Sequence, residues 1–241
     1  MGSCGAENII GKCYNDKYVV LKKIGVGSFG QVYLCKNKYA RSQLYAVKIL
    51  PMPKDGRQHH SVDPMAEIEI HRRLSEKNGR LFVKVLDDFE LDDAVVIVME
   101  YCEEGSLEHF VIRDRGAPME ILLATDVLLQ LVDALKLMHA SGIMHRDLSA
   151  GNVLVKEVSR GQNGDVKRLH VKVTDFGLSK RDVQGQLRTM LGTPAFMAPE
   201  VRAGKYTMAA DVFSLGAIFY LLLTRKLLPS VATTDQQQQQ I

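Results

Sequence analysis

The stretch from Ile143 to Val155 reads Ile-Met-His-Arg-Asp-Leu-Ser-Ala-Gly-Asn-Val-Leu-Val. Apolar flanks enclose His145, Arg146, Asp147 and Asn152. Apolar chain on both sides is bound for a core, and a core admits that many hydrogen-bonding groups only where each has a partner or chemistry to do. The fold must therefore bring a polar loop to the edge of an apolar interior. Asp147 is the candidate base, and Asn152 a candidate metal ligand. The triplet Asp175-Phe176-Gly177 follows 23 residues after Asn152, at the end of the alternation Leu169, Val171, Val173. A carboxylate followed by a flexible glycine suits a second magnesium ligand. Two Asp and one Asn make a hard, all-oxygen site of the kind that handles phosphate.

A chain of 241 residues at 46% hydrophobic can bury a real core, as one large domain or two lobes. A net charge of +3 is mild and points to no nucleic-acid partner. Cys4, Cys13, Cys35 and Cys102 have no metal-ligand spacing, so they read as reduced thiols of a cytoplasmic protein. The apolar run Leu215–Leu223 is too short to span a bilayer, and no secretory segment is expected. Met1-Gly2-Ser3-Cys4 exposes Gly2 after Met removal and places a Cys beside it. That pattern suits myristate on Gly2 and palmitate on Cys4, with attachment to a membrane surface. Ala6 departs from the preferred Ser or Thr, and an ordinary polar start is the plainer reading.

Tyr18 to Ile24 reads as a strand, and Gln31 to Cys35 as another. Gly25, Gly27 and Gly30 lie between them. A dinucleotide-binding turn needs a helix next, whereas Val32, Tyr33 and Leu34 are strand-like, so these glycines sit on a hairpin. Tyr45 to Leu50 is a third strand, and Lys48 within it is a charge in an apolar run that needs a partner. Pro64 to Glu76 reads as a helix with Asp63 as its N-cap. Glu67, Ile70, His71 and Leu74 share one face of it, and Glu69 does not. Glu67 is thus the expected partner of Lys48, and His71 a packed core histidine. Leu81–Phe89 and Ala94–Glu100 read as strands joined by an acidic turn. Ser106–Arg113 and Met119–Ala140 read as helices, and Arg160–Lys167 as a hairpin tip. Asp211 opens an apolar helix, Val212–Leu223, expected to be buried.

In this order the segments resemble the eukaryotic protein kinases of the serine/threonine type. The resemblance implies an α+β bilobal fold: a small antiparallel β lobe with one helix, about 18–99, and a mostly helical large lobe, about 103–228. Residues 1–17 would precede it, and a Gln-rich tail, 229–241, would follow. It implies ATP and magnesium (Mg2+) as cofactors and a protein substrate with a Ser or Thr acceptor. Ile24, Gly25, Val26, Gly27, Ser28, Phe29 and Gly30 would cover the phosphates. Lys48, held by Glu67, would position them. Met99 would be the gatekeeper, backbone groups of Glu100 and Cys102 would bind adenine, and Val32, Ala46 and Leu154 would sandwich its ring. Asp147 would orient the acceptor hydroxyl and take its proton, while Asn152 and Asp175 would hold magnesium. Leu178–Met197 would be the activation segment, with Thr189 as its phosphorylation site and Arg146 as the clamp. Thr193 is similar to the Thr that marks serine/threonine kinases.

Two departures from the pattern carry expectations of their own. Ser149 stands where these kinases usually carry a Lys that touches the γ-phosphate, and loss of that cation would cost a few kcal/mol of barrier, by order of magnitude. A catalytically weak scaffold is therefore the rival reading. Ser106 and Gly151 stand where Arg-directed kinases carry acids, so no strong basic preference is expected. The resemblance ends near Leu223, so the large lobe is expected to be incomplete and to lack the usual Arg partner of Glu200, without which burying Glu200 would be costly.

Overall fold

The computed structural model describes residues 9–27, 30–40, 42–52, 64–113, 118–181, 193–202 and 206–228. Two compact units result. One is built from the chain up to Ile68 together with Lys84–Tyr101, the other from Glu69–Val83 and the chain from Cys102 onward.

The first unit is an antiparallel sheet of six strands: β1 (Cys13–Tyr14), β2 (Tyr18–Val26), β3 (Gln31–Asn37), β4 (Leu44–Pro51), β5 (Val85–Leu91) and β6 (Ala94–Glu100), in the order β1-β2-β3-β4-β6-β5. Successive side chains of a strand point to opposite faces. Tyr33 and Cys35 of β3, Tyr45 and Val47 of β4, and Val96 and Val98 of β6 face one core with Tyr18 and Val20. Tyr18 anchors that core: its ring meets Tyr45 edge-on at 5.1 Å, and its hydroxyl donates to Asp87 Oδ2 at 2.7 Å. Each large side chain buried there contributes about 1.5–3 kcal/mol. The alternate residues, Val32, Ala46, Lys48, Ile97 and Met99, are left on the opposite face. The register brings them together, pairing Val32 with Lys48, Lys48 with Ile97, and Ala46 with Met99.

Helix α1 spans Pro64–Lys77; its expected N-cap, Asp63, lies outside the described residues. In the second unit, α2 (Leu107–Arg113), α3 (Ile121–His139) and α5 (Met208–Thr224) join the hairpin β8 (Val153–Arg160)–β9 (Val166–Val173); a short α4 (Pro199–Arg202) precedes α5. Val127, Leu131 and Met138 of α3, Ile218 and Leu222 of α5, and Val155, Val171 and Val173 of the hairpin share one core. Gln130 fixes α3 against β9: its amide donates to Leu169 O at 2.8 Å and accepts from Val171 N at 3.1 Å. Strand β7 (Ile143–Met144) pairs with β10 (Lys180–Arg181) on either side of the polar loop.

Two expectations are corrected. The strand read over Leu81–Phe89 is two pieces. Leu81–Val83 bonds to Val173 in the second unit, with Val173 N to Leu81 O at 2.9 Å and Val83 N to Val173 O at 3.1 Å. Val85–Leu91 pairs with β6. The apolar stretches on either side of Lys84 read alike, and nothing in their period says which sheet each joins. Helix α5 begins at Met208 with Thr207 as N-cap, so Asp211 lies inside its first turn, and Val212 is 56% exposed. Glu200 is half-buried. Among the described residues, no helix is long and apolar enough to cross a membrane.

Candidate active site

In the first unit, Lys48 is 3% exposed, and its Nζ lies 2.6 Å from Glu67 Oε1, itself in a residue 2% exposed. Strand period puts Lys48 on the face with Val32, Ala46 and Met99, and the first turn of α1 supplies the carboxylate. Each charge is costly to bury alone and tolerable with its partner at this distance. The hairpin β2–β3 closes with Gly27 N donating to Gly30 O at 2.8 Å, and Val26 pairs with Gln31. The glycines divide into two kinds. A Cβ on Gly30 would collide with the Ile49 carbonyl and the Leu50 side chain, so packing alone demands glycine there. A Cβ on Gly25 would meet only Val32 Cβ, at 3.8 Å, so packing does not demand it. Ile24 and Val26 are exposed, whereas Ala46 and Met99 are buried. Ser28 and Phe29 lie outside the described residues. Glu100 N donates to Lys84 O at 3.1 Å, and Glu100 Oε1 accepts from Lys84 N at 2.9 Å.

In the second unit, the loop after β7 turns sharply. Arg146 has φ 70°, a left-handed conformation that costs a non-glycine residue roughly 1–2 kcal/mol. Asp211 of α5 holds it there. Its Oδ2 accepts from His145 N at 2.9 Å, and its Oδ1 from Arg146 N at 3.0 Å. His139 Nε2 lies 2.9 Å from Oδ2. Burial works to raise the Asp211 carboxyl. The His139 hydrogen bond and the two backbone N–H groups outweigh it and hold the group below the usual carboxylate range. Asp211 is the functional residue that the sequence reading missed. Its only local signal is an acid in a helix's first turn, which capping already explains.

Fixing Arg146 aims Asp147. The carboxylate is 8% exposed and fully oriented: Oδ1 accepts from Thr193 N at 2.8 Å and Thr193 Oγ1 at 3.0 Å, and Oδ2 from Asn152 Nδ2 at 3.1 Å. Asn152 Nδ2 also donates to Asp147 O at 2.8 Å. The amide nitrogen is thus committed to the loop, which turns Asn152 Oδ1 away from it as a hard oxygen donor. Thr174 N donates to Asn152 O at 3.0 Å and so ties in the segment that carries Asp175. Asp175 is half-buried with φ 63°, and Phe176 beside it is fully buried. Phe176 packs against His71 at 4.8 Å, His145 at 5.3 Å and Phe82 at 6.0 Å between ring centroids. His71 is a core histidine as expected, with Nε2 2.8 Å from Val83 O. Asp147 N donates to His145 Nδ1 at 3.3 Å, so His145 carries its proton on Nε2 and donates it to Thr174 O at 3.1 Å. The Asp175 carboxylate and the Asn152 amide oxygen are donors of the kind that magnesium prefers.

Residues 18–241 match the protein kinase domain family. The chain belongs to the protein kinase family. Among curated relatives, the probable serine/threonine-protein kinase zyg-1 of Caenorhabditis elegans is 38% identical over 212 residues, 87% of this chain and 27% of the relative. Calcium/calmodulin-dependent protein kinase type 1 of Macrobrachium nipponense is 33% identical over 86% of this chain and 56% of its own length. The chain thus spans about a quarter to a little over half of these relatives. A crystallised kinase domain shares the fold with a TM-score of 0.73 at 22% identity, over 91% of this chain and 68% of that one.

Of the other kinase positions, Leu154 is half-buried on β8, Cys102 is buried, and its carbonyl accepts from Gly105 N at 3.2 Å. The Arg146 guanidinium lies 5.1 Å from the Tyr206 ring centroid. Thr189 lies outside the described residues, as do Gly2, Cys4 and the Gln-rich tail.

Proposed function

We propose that this chain transfers the γ-phosphate of ATP to Ser or Thr hydroxyls of a protein substrate. The observation that carries this reading is the Asp147 carboxylate, oriented by three hydrogen bonds from Thr193 and Asn152. A general base must be aimed before its pKa matters, and this one is aimed from two sides. Asp147 accepts the proton of the acceptor hydroxyl. Lys48, kept extended by Glu67, holds phosphate oxygens. Asn152 Oδ1 and the Asp175 carboxylate hold magnesium, which when bound neutralises charge on the phosphates. Gly25, which packing leaves unexplained, lets backbone N–H groups approach the phosphates. Phosphoryl transfer asks for position and charge more than for covalent chemistry, so the missing cation at Ser149 slows the reaction without removing it.

Transfer of labelled γ-phosphate from magnesium-ATP by the purified chain tests this, with Asp147→Asn as the control. Label on Ser or Thr in the wild type and none in the control is the expected result. Absence of transfer from a cooperatively melting, nucleotide-binding chain would instead make it a scaffold. Activation by phosphate on Thr189, clamped by Arg146, belongs to the same reading, and a fully active Thr189→Ala variant would remove it. Acylation of Gly2 and Cys4 at a membrane surface is a separate element. Intact-mass analysis of protein made in a eukaryotic cell reads it as one added myristoyl and one added palmitoyl mass, and an unmodified mass rejects it.

A further inference from the structure

Charge is spread unevenly along the chain. Positions 9–40 hold six lysines and one acid, Asp16, whereas over the remainder Asp and Glu outnumber Lys and Arg. The sheet register gathers three of the six lysines on one face. Cys13 pairs with Val19, and Val19 with Lys36. Lys38 N donates to Lys17 O at 2.8 Å, which sets those two residues side by side. Paired residues point the same way, as do residues two apart on a strand. Lys17, Lys36 and Lys38 therefore share the side of Cys13 and Val19, opposite the core of Tyr18 and Val20. Lys12, exposed, adjoins them just before β1, the edge strand. Lys38 is offset by Asp16, with Nζ 2.5 Å from Oδ1. Lys17 and Lys36 have no ion pair among the described residues. Two large side chains stand out into water at the same corner: Ile10, 57% exposed, and Tyr39, 72% exposed. Tyr39 is fixed there by its hydroxyl, which donates to Asp16 Oδ2 at 2.6 Å. Protection of a bare sheet edge accounts for Lys22 and Lys23, which lie on β2 beyond the residues that β1 pairs with. It does not account for Lys36, because β3 is flanked by β2 and β4. An ordinary solvated surface mixes both signs of charge, and this one does not.

We infer that this corner of the first unit, with Lys12, Lys17, Lys36 and Lys38 around Ile10 and Tyr39, docks on a membrane surface rich in anionic phospholipid. An ammonium on a flexible stem meets lipid phosphates and carboxylates without a fixed partner geometry. Ile10 enters the boundary between headgroups and acyl chains. Tyr39 suits the same level, with an apolar ring and a polar hydroxyl. The chain that leads into the corner fits this partner. Gly2 stands seven residues before Ile9, a reach of about 23 Å when extended. One acyl chain alone binds a bilayer only marginally, and a basic face supplies the second signal that stable attachment needs. The inference thus deepens the membrane-surface reading of Gly2 and Cys4, while the face acts through charges of its own. The described cations of the corner are all lysines, beside an exposed aliphatic side chain. That combination favours lipid over nucleic acid, where arginine forks are the usual readers.

The test is flotation of the full chain, made unacylated in bacteria, with vesicles of phosphatidylcholine alone or mixed with phosphatidylserine. Binding should be about a hundredfold tighter to the mixed vesicles, and should fall away in about 1 M salt, where charges are screened within about 3 Å. At about fivefold per lysine, Lys17→Gln with Lys36→Gln should weaken it about 25-fold. Lys17→Arg with Lys36→Arg, which keeps both charges, should bind as the wild type does. Lys136→Gln with Lys226→Gln removes the same charge from exposed positions of the second unit and should change binding about twofold or less. No preference for phosphatidylserine, or equal weakening by the two Gln pairs, overturns the inference and leaves acylation to its own mass measurement. Tighter binding to duplex DNA than to the mixed vesicles at the same salt overturns it in favour of nucleic acid. An unmodified mass for protein made in a eukaryotic cell, with the phosphatidylserine preference intact, rejects acylation and leaves the basic face standing.

Discussion

The first unit carries its functional charge as one pair, Lys48 and Glu67, sealed between a strand and a helix turn. The second carries its charge as a web in which Asp211 holds the backbone of His145 and Arg146, and Thr193 and Asn152 hold Asp147. A pair can be removed whole, because each charge exists to offset the other. A web cannot, because its acceptors serve backbone N–H groups that no substitution short of proline deletes. The first unit should therefore tolerate loss of its charges structurally while losing function. In the second, structure and function should fail together.

The largest effect should come from Asp211→Ala, which strands the buried His145 N–H and the part-buried Arg146 N–H and releases the left-handed Arg146. A loss on the order of 5 kcal/mol is expected in denaturant melts, with transfer abolished. A stable Asp211→Ala protein with slow amide exchange at His145 and Arg146 would break the comparison. Next, Lys48→Met should cost about 3–5 kcal/mol by leaving Glu67 buried alone. The double change Lys48→Met with Glu67→Leu should return stability to within about 1–2 kcal/mol of wild type, with transfer still absent. Calorimetry of the single and double variants decides it, and a double variant no more stable than Lys48→Met would deny the pair its self-contained character. Smaller again, Gly30→Ala should cost about 1–3 kcal/mol through overpacking against β4. Gly25→Ala should leave stability within about 0.5 kcal/mol and weaken ATP binding. Titration calorimetry with a non-hydrolysable analogue separates the two. The smallest effect concerns acid. Asp211 is held below its unfolded value near about 4, so its stabilisation is full above that pH and is lost as pH falls through the folded pKa. Asp211→Asn should therefore melt with a shallower decline than wild type below about pH 4. Parallel declines would assign the acid sensitivity to other groups.

The same contrast governs what can be read from sequence. Lys48 announces itself because a charge in an apolar strand breaks a local rule, and helix period selects Glu67 over Glu69. The hairpin glycines follow from the strands on either side. Asp147, Asn152 and Asp175 stand out because polar residues interrupt apolar runs. The rest depends on pairing at a distance. Asp211 meets Arg146 and His145 across 65 and 66 residues, and an acid near a helix start carries no hint of it. Leu81–Val83 and Val85–Leu91 adjoin across Lys84 but bond to different sheets. β1 is too short, at two residues, for any period to reveal it.

The grip of Asp211 on the loop also sets an order of events at the ribosome. When Asn152 has been synthesised, the base and its neighbouring amide both exist as chemistry, but the acceptor that bends Arg146 has not yet been made. At about 5–20 residues per second, several seconds separate the two. During that interval the loop has nothing to hold its left-handed turn. A segment that emerges later thus gives shape to groups made well before it.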